Sequence, residues 1–220
     1  MTMNFVHDFS IEETCLAPID VQGLFCNPRH FSLNKWKQPW IATERTRQTA
    51  KRISTVAREF NALGCDVAWI YYTDPYMKKS FKFAGKFYQV IPRAKDSIIP
   101  KYEDSAFEGG DPPYVDDPSP FQNWISSRGK KHIVLCGFQL SACVFKTTFD
   151  AALRGYKVTV LADISVDGRP RGKVEQEHSK CLHNSSEAVF KLPKQVSNNI
   201  RFGRSADVLN IYQARTLSVA

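Results

Sequence analysis

The chain has 220 residues, 43% of them hydrophobic, enough for one α/β domain with a full core. No apolar run is long enough for a bilayer, no charged region precedes an apolar one at the N-terminus, and six scattered cysteines form no CxxC pair. These features predict a cytoplasmic protein with reduced thiols, not a membrane protein, a secreted disulfide scaffold or a zinc module. The net charge is +8, but the basic residues are dispersed, and the richest stretch, 44–52, reads as the solvated face of a helix, so no nucleic-acid partner is expected.

Strands and helices alternate. Residues 15–20, CLAPID, form a short apolar run ending in an acid and read as the first strand, with Pro18 unusual for a central one. A helix is predicted from about Trp40 to Leu63, with Ile53, Val56, Ala57 and Phe60 on one face and Gly64 ending it. Val67 to Thr73 is rich in aromatic and β-branched residues and reads as a strand. Residues 74–120 read as irregular, with one strand near Phe87 to Ile91. A helix over 120–127 leads into a strand, Ile133 to Cys136, which meets Gly137. After a short turn comes a helix from Ser141 to Leu153, stopped by Gly155, and then a strand from Val158 to Leu161. A further helix is predicted over 173–190, and a strand and a terminal helix in the last thirty residues. This alternation predicts a three-layer α/β/α domain with a mostly parallel sheet.

In such sheets ligands bind at the carboxyl ends of the strands. Cys143, near a helix N-terminus after the Ile133 strand, is well placed for a nucleophile. The same position suits a buried cysteine that only packs a helix on the sheet. Asp20 ends the first strand, and Lys101 lies in the irregular stretch.

Three segments then combine. DVQGLF at 20–25, KYEDSAF at 101–107 and GFQLSACV at 137–144, followed by T-x-x-D-A-A-x-x-G-Y-x-V at 147–158, resemble the isochorismatase-like cysteine hydrolases in order and spacing. That superfamily includes nicotinamidases, N-carbamoylsarcosine amidases and isochorismatases. The resemblance covers roughly residues 15 to 190. It implies one α/β domain and a catalytic triad of Asp20, Lys101 and Cys143. It also implies a cis peptide between Phe138 and Gln139, and an oxyanion hole made by the backbone N–H groups of Gln139 and Cys143. Lys101 and the helix N-terminus would favour the thiolate, and Asp20 would shuttle the proton, so that replacing Asp20 by Asn would move the thiol titration upward.

The resemblance further implies no cofactor and a homo-oligomer, a dimer or larger. Metal-binding nicotinamidases carry Asp-x-His after the second strand. Here Asp74 matches but Tyr76 stands where the histidine would be, so no metal is expected. Phe25, Tyr76, Tyr102 and Phe107 lie near the motifs as candidate substrate contacts. The expected activity is cleavage of a C–N bond in a small amide or carbamoyl substrate through a thioester. The alternatives are an isochorismatase-type vinyl-ether hydrolase and a non-catalytic binding member of the fold.

Overall fold

The computed structural model describes residues 6–29, 40–73, 86–109, 118–170 and 194–219. Its centre is a six-stranded parallel sheet built from β1 (Thr14–Ile19), β3 (Asp66–Tyr72), β4 (Ser97–Lys101), β5 (His132–Gly137), β6 (Lys157–Ser165) and β8 (Ile200–Gly203). The order is β4-β3-β1-β5-β6-β8. From β1 the chain winds outward through β3 to β4. It returns to β5 on the other side of β1 and winds outward again. The winding therefore reverses between β1 and β5, the switch point at whose carboxyl ends sheets of this kind bind ligands. A second pair of strands, β2 (Trp40–Ile41) and β7 (Arg169–Pro170), runs antiparallel.

Strand side chains alternate between the two faces of the sheet. On one face Leu16, Val67, Trp69, Val134 and Cys136 meet Ile53, Val56 and Phe60 of α2 (Glu44–Ala62) and Val208 and Tyr212 of α6 (Ser205–Val219). On the other, Cys15, Ala17, Ile19, Ile70, Ile133 and Leu135 meet Phe121 and Ile125 of α3 (Pro120–Ser127) and Val144 and Ala151 at and within α4 (Phe145–Leu153). Two short helices complete the set, α1 (Gly23–Cys26) and α5 (Lys194–Ser197). β1 and β5 are buried at every position, as expected of central parallel strands covered on both faces. Each large side chain buried in these layers contributes roughly 1.5–3 kcal/mol.

Several sequence boundaries shift for local reasons. The helix read from Trp40 begins at Glu44, because Thr43 and Thr46 close a reciprocal capping box: Thr43 N–H donates to Thr46 Oγ1 at 2.8 Å and Thr46 N–H to Thr43 Oγ1 at 3.3 Å. α3, by contrast, keeps the bounds read from the sequence, starting at Pro120 behind the Ser119 cap, which accepts from Gln122 N–H at 3.1 Å. Among the described residues of 74–120 the strand is Ser97–Lys101, not Phe87–Ile91. Pro100 obscures it in the sequence, and a proline is tolerated because β4 is an edge strand. Phe87 forms only an isolated bridge with Gln22. The expected β8 and α6 are present, and the helix expected over 173–190 lies outside the described residues.

Candidate active site

Two of the three candidate residues sit at the end of a strand, and the third lies in the turn that follows one. Asp20 follows β1 directly, with φ at +53°, a left-handed conformation that aspartate adopts more readily than most residues. Its N–H donates to Ile70 O at 2.9 Å, and its carbonyl accepts from Gln22 N–H at 2.7 Å. The Gln22 side chain then acts as one more rung of the sheet: Tyr72 N–H donates to Gln22 Oε1 at 2.8 Å, and Gln22 Nε2 donates to Tyr72 O at 3.0 Å. Sequence reading passed over this lock between the ends of β1 and β3, although Gln22 lies inside the quoted motif.

Lys101 is the last residue of β4 and pairs in register with Tyr72. It is 1% exposed. Its ammonium lies 5.1 Å above the Tyr72 ring centroid and reaches back toward β1. Nζ stands 3.0 Å from Asp20 Oδ2 and 3.3 Å from Cys143 Sγ, and it donates to the carbonyls of Glu103 at 3.0 Å and Asp104 at 3.3 Å. The buried cation is thus surrounded by acceptors, as its charge requires.

Cys143 arrives from the other side of β1. After β5, Gly137 has φ at +125°, and a Cβ there would lie 2.1 Å from Ile19 O, so only glycine lets β5 meet the end of β1. Phe138 N–H donates to Ile19 O at 3.0 Å. The Phe138–Gln139 peptide is cis. The chain then makes one π-helical turn, Leu140–Val144, before α4. The helix read from Ser141 therefore begins with a wider turn, and Cys143 lies inside it. Asp167, beyond β6, holds this turn by accepting from Ser141 N–H at 3.0 Å and Ser141 Oγ at 3.1 Å, while Gln139 Oε1 accepts from Gly168 N–H. Ala106 N–H donates to Thr147 Oγ1 at 3.0 Å, tying the Lys101 loop to α4.

The electrostatics differ from the sequence expectation. Burial, and then the neighbouring Asp20 charge, push the Cys143 thiol up to about 12, with Lys101 opposing. Burial also raises the Asp20 carboxyl, against the pull of Lys101. Lys101 is held above the usual lysine range: burial opposes its charge, but Asp20 and Cys143 outweigh burial. Lys101 pulls the thiol down, but burial first and the Asp20 carboxylate second outweigh it, so the shift runs opposite to the sequence expectation.

The remaining candidates separate. Phe107 is 3% exposed and packs on Phe121 and Tyr156, with ring centroids 5.3 and 5.8 Å away. Phe25 is half-buried against the α2-side core, and Tyr102 is half-exposed beside Lys101. Asp74 and Tyr76 lie outside the described residues. A group missed from sequence is Asp104, whose Oδ1 is 4.0 Å from Cys143 Sγ and whose Oδ2 is 2.6 Å from Lys146 Nζ.

Comparison with known proteins agrees with this architecture. The isochorismatase domain model matches residues 14–178. The chain belongs to the isochorismatase domain family. No curated protein matches its sequence. Among solved structures, a cysteine hydrolase from Pseudomonas syringae pv. phaseolicola 1448A superposes with a TM-score of 0.69 at 16% identity, over 97% of this chain and 99% of that one. An isochorismatase family protein from Desulfovibrio vulgaris subsp. vulgaris str. Hildenborough gives 0.66 at 15%, over 91% and 98%. N-carbamoylsarcosine amidase from Thermoplasma acidophilum gives 0.56 at 19%, over 87% and 96%. At these identities the likeness is one of fold: an open parallel sheet flanked by helices. Among the described residues no helix is long and apolar enough to cross a membrane.

Proposed function

We propose that this chain is a cysteine hydrolase that cleaves the C–N bond of a small amide or carbamoyl substrate through a thioester. One observation carries the reading. A buried carboxylate and a thiol share one buried lysine at the strand switch point, with Lys101 Nζ 3.0 Å from Asp20 Oδ2 and 3.3 Å from Cys143 Sγ. In this reading the resting site holds carboxylate, ammonium and thiol. Moving the thiol proton to Asp20 changes only which anion Lys101 pairs with, so no uncompensated charge forms in the interior. Burial raises the Asp20 carboxyl against the pull of Lys101, which suits a group that takes up a proton.

The steps follow. Sγ attacks the carbonyl carbon as its proton passes to Asp20. The C–N bond breaks, and the leaving nitrogen takes that proton and departs as ammonia or an amine. The acyl group stays on Cys143 as a thioester. Water then gives a proton to Asp20 and its oxygen to the acyl carbon. The C–S bond breaks, the acid leaves, and Asp20 returns the proton to Sγ. The developing oxyanion is assigned to the amides of Gln139 and Cys143. The other amides of the turn are committed, Leu140 to Val166 O, Ser141 to Asp167, and Ala142 and Val144 to Gln139 O. The same reading takes the protein as cytoplasmic and homo-oligomeric, without a cofactor.

A panel of small amides and carbamoyl compounds, assayed for ammonia release, tests this. Release from at least one compound by the wild type, and none by Cys143→Ala, is expected. Equal ammonia release by Cys143→Ala would exclude the thioester route, and hydrolysis of a vinyl ether that survives Cys143→Ala would support the vinyl-ether alternative. A folded wild type inert toward the whole panel would favour the binding-member alternative.

A further inference from the structure

Asp104 is held beside the nucleophile but does not belong to the buried trio. Its carbonyl accepts from Lys101 Nζ at 3.3 Å, which fixes its backbone at the site. Its carboxylate turns the other way and is half-exposed, at 51%, whereas the Asp20 side chain is fully buried. Oδ1 lies 4.0 Å from Cys143 Sγ, and Oδ2 pairs with Lys146 at 2.6 Å. At that distance Oδ1 is within reach of a substituent on a carbonyl carbon bonded to Sγ.

From this we infer that Asp104 is a specificity-determining residue: it admits substrates that present an N–H donor or a positive charge beside the scissile carbonyl, and disfavours those that present an anion there. The inference rests on the proposed amide hydrolysis and narrows its substrate class. An ionised carboxylate only accepts hydrogen bonds, so a neighbouring amide or ammonium N–H satisfies it and a second carboxylate repels it. Lys146 does not cancel the effect. A half-exposed ion pair is weak, and Nζ sits on the Oδ2 side, leaving Oδ1 toward Sγ. Nor does Lys101 offer its charge to an incoming anion, since Asp20, Cys143 and two carbonyls already surround it.

Methanethiosulfonates bearing a trimethylammonium, a methyl or a sulfonate group probe this without a known substrate. Second-order labelling rates at Cys143 would be measured by peptide mass spectrometry in the wild type, Asp104→Asn, Lys146→Met and Asp150→Asn. Asp150 lies one turn further along α4. In Asp104→Asn the cationic reagent should slow and the anionic one speed up by up to about fivefold each, the Coulomb effect of one charge at about 4 Å in water, so the cation-to-anion rate ratio is expected to fall by about tenfold or more. In Lys146→Met the ratio should rise, and in Asp150→Asn it should hardly move. An unchanged ratio in Asp104→Asn, or an equal fall in Asp150→Asn, overturns the inference while leaving the nucleophile in place. Failure of every reagent to label Cys143 in folded wild type overturns the nucleophile and the inference together.

Discussion

A lysine ammonium without exposed surface survives at position 101 only because charge and lone pairs surround it. Lys101→Met removes that cation and leaves Asp20 buried without an opposite charge. The expected cost is about 3–5 kcal/mol in chemical denaturation, together with a still higher Cys143 titration. A stable Lys101→Met protein with an unaltered thiol would contradict the arrangement. The three residues are legible in the sequence because their order and spacing are distinctive, and each turns out to end a sheet element or lie in the turn that follows β5. Their protonation is not legible. Lys101 alone favours a thiolate, but burial and the Asp20 carboxylate outweigh it, and neither effect can be seen until the chain is folded. Phe107 shows a similar limit: it lies six residues from Lys101, yet the turn at 102–106 sends it into the core beneath α3.

At the level of elements, the turn that carries Cys143 depends on how closely β5 approaches β1. Gly137→Ala would place a methyl group 2.1 Å from Ile19 O and 2.7 Å from Ile19 N, both backbone atoms in a central strand that cannot yield. A loss of more than about 3 kcal/mol, or no folded protein, is expected by thermal or urea unfolding. Gly155 also has a positive φ, +86°, but a Cβ there meets nothing within 4 Å. Gly155→Ala should therefore cost only about 1 kcal/mol, the conformational part alone. Equal losses at the two sites would show that close approach is not what fixes Gly137. Sequence periodicity located β1, β3, β5 and β6 because buried parallel strands are dense in apolar residues. It missed β4, whose Pro100 and exposed Ile98 read as loop until its edge position is known. It also missed the π-helical turn, which leaves no mark on the apolar pattern.

Across the whole molecule, charge and protons are handled at both ends of the sheet. At the end of the sheet opposite Asp20, Lys101 and Cys143, His132 at the start of β5 is buried, with Nδ1 2.8 Å from Tyr212 Oη and Nε2 2.8 Å from Thr159 Oγ1. The His7 ring packs edge-on against it at 5.4 Å, joining the N-terminal segment to β5, and Tyr212 joins α6 to the same group. Burial first, then nearby cations, hold His7 down to about 4; burial first, then His7 and nearby arginines, hold His132 down to about 3. Above the ordinary histidine value of about 6.5 neither ring is charged in either state, and stability is unaffected. As pH falls below that value the unfolded chain takes up protons that the folded chain refuses, so stability declines until the folded values are reached. By pH 5 the loss is about 2 kcal/mol per histidine, measurable by urea unfolding at pH 7 and pH 5. His7→Phe should reduce the loss by about half, and an undiminished loss would place the acid sensitivity elsewhere. At the reactive end the same physics makes the most direct test, the pH dependence of Cys143 alkylation by iodoacetamide in wild type and Asp20→Asn. In the wild type the rate should keep rising with pH beyond the free-thiol value of about 8.5. Removing the Asp20 charge leaves Lys101 to the thiol alone, so the Asp20→Asn midpoint should move down while turnover is lost. An unchanged midpoint, or the upward shift expected from sequence alone, would contradict a proton shared between Cys143 and Asp20 across Lys101.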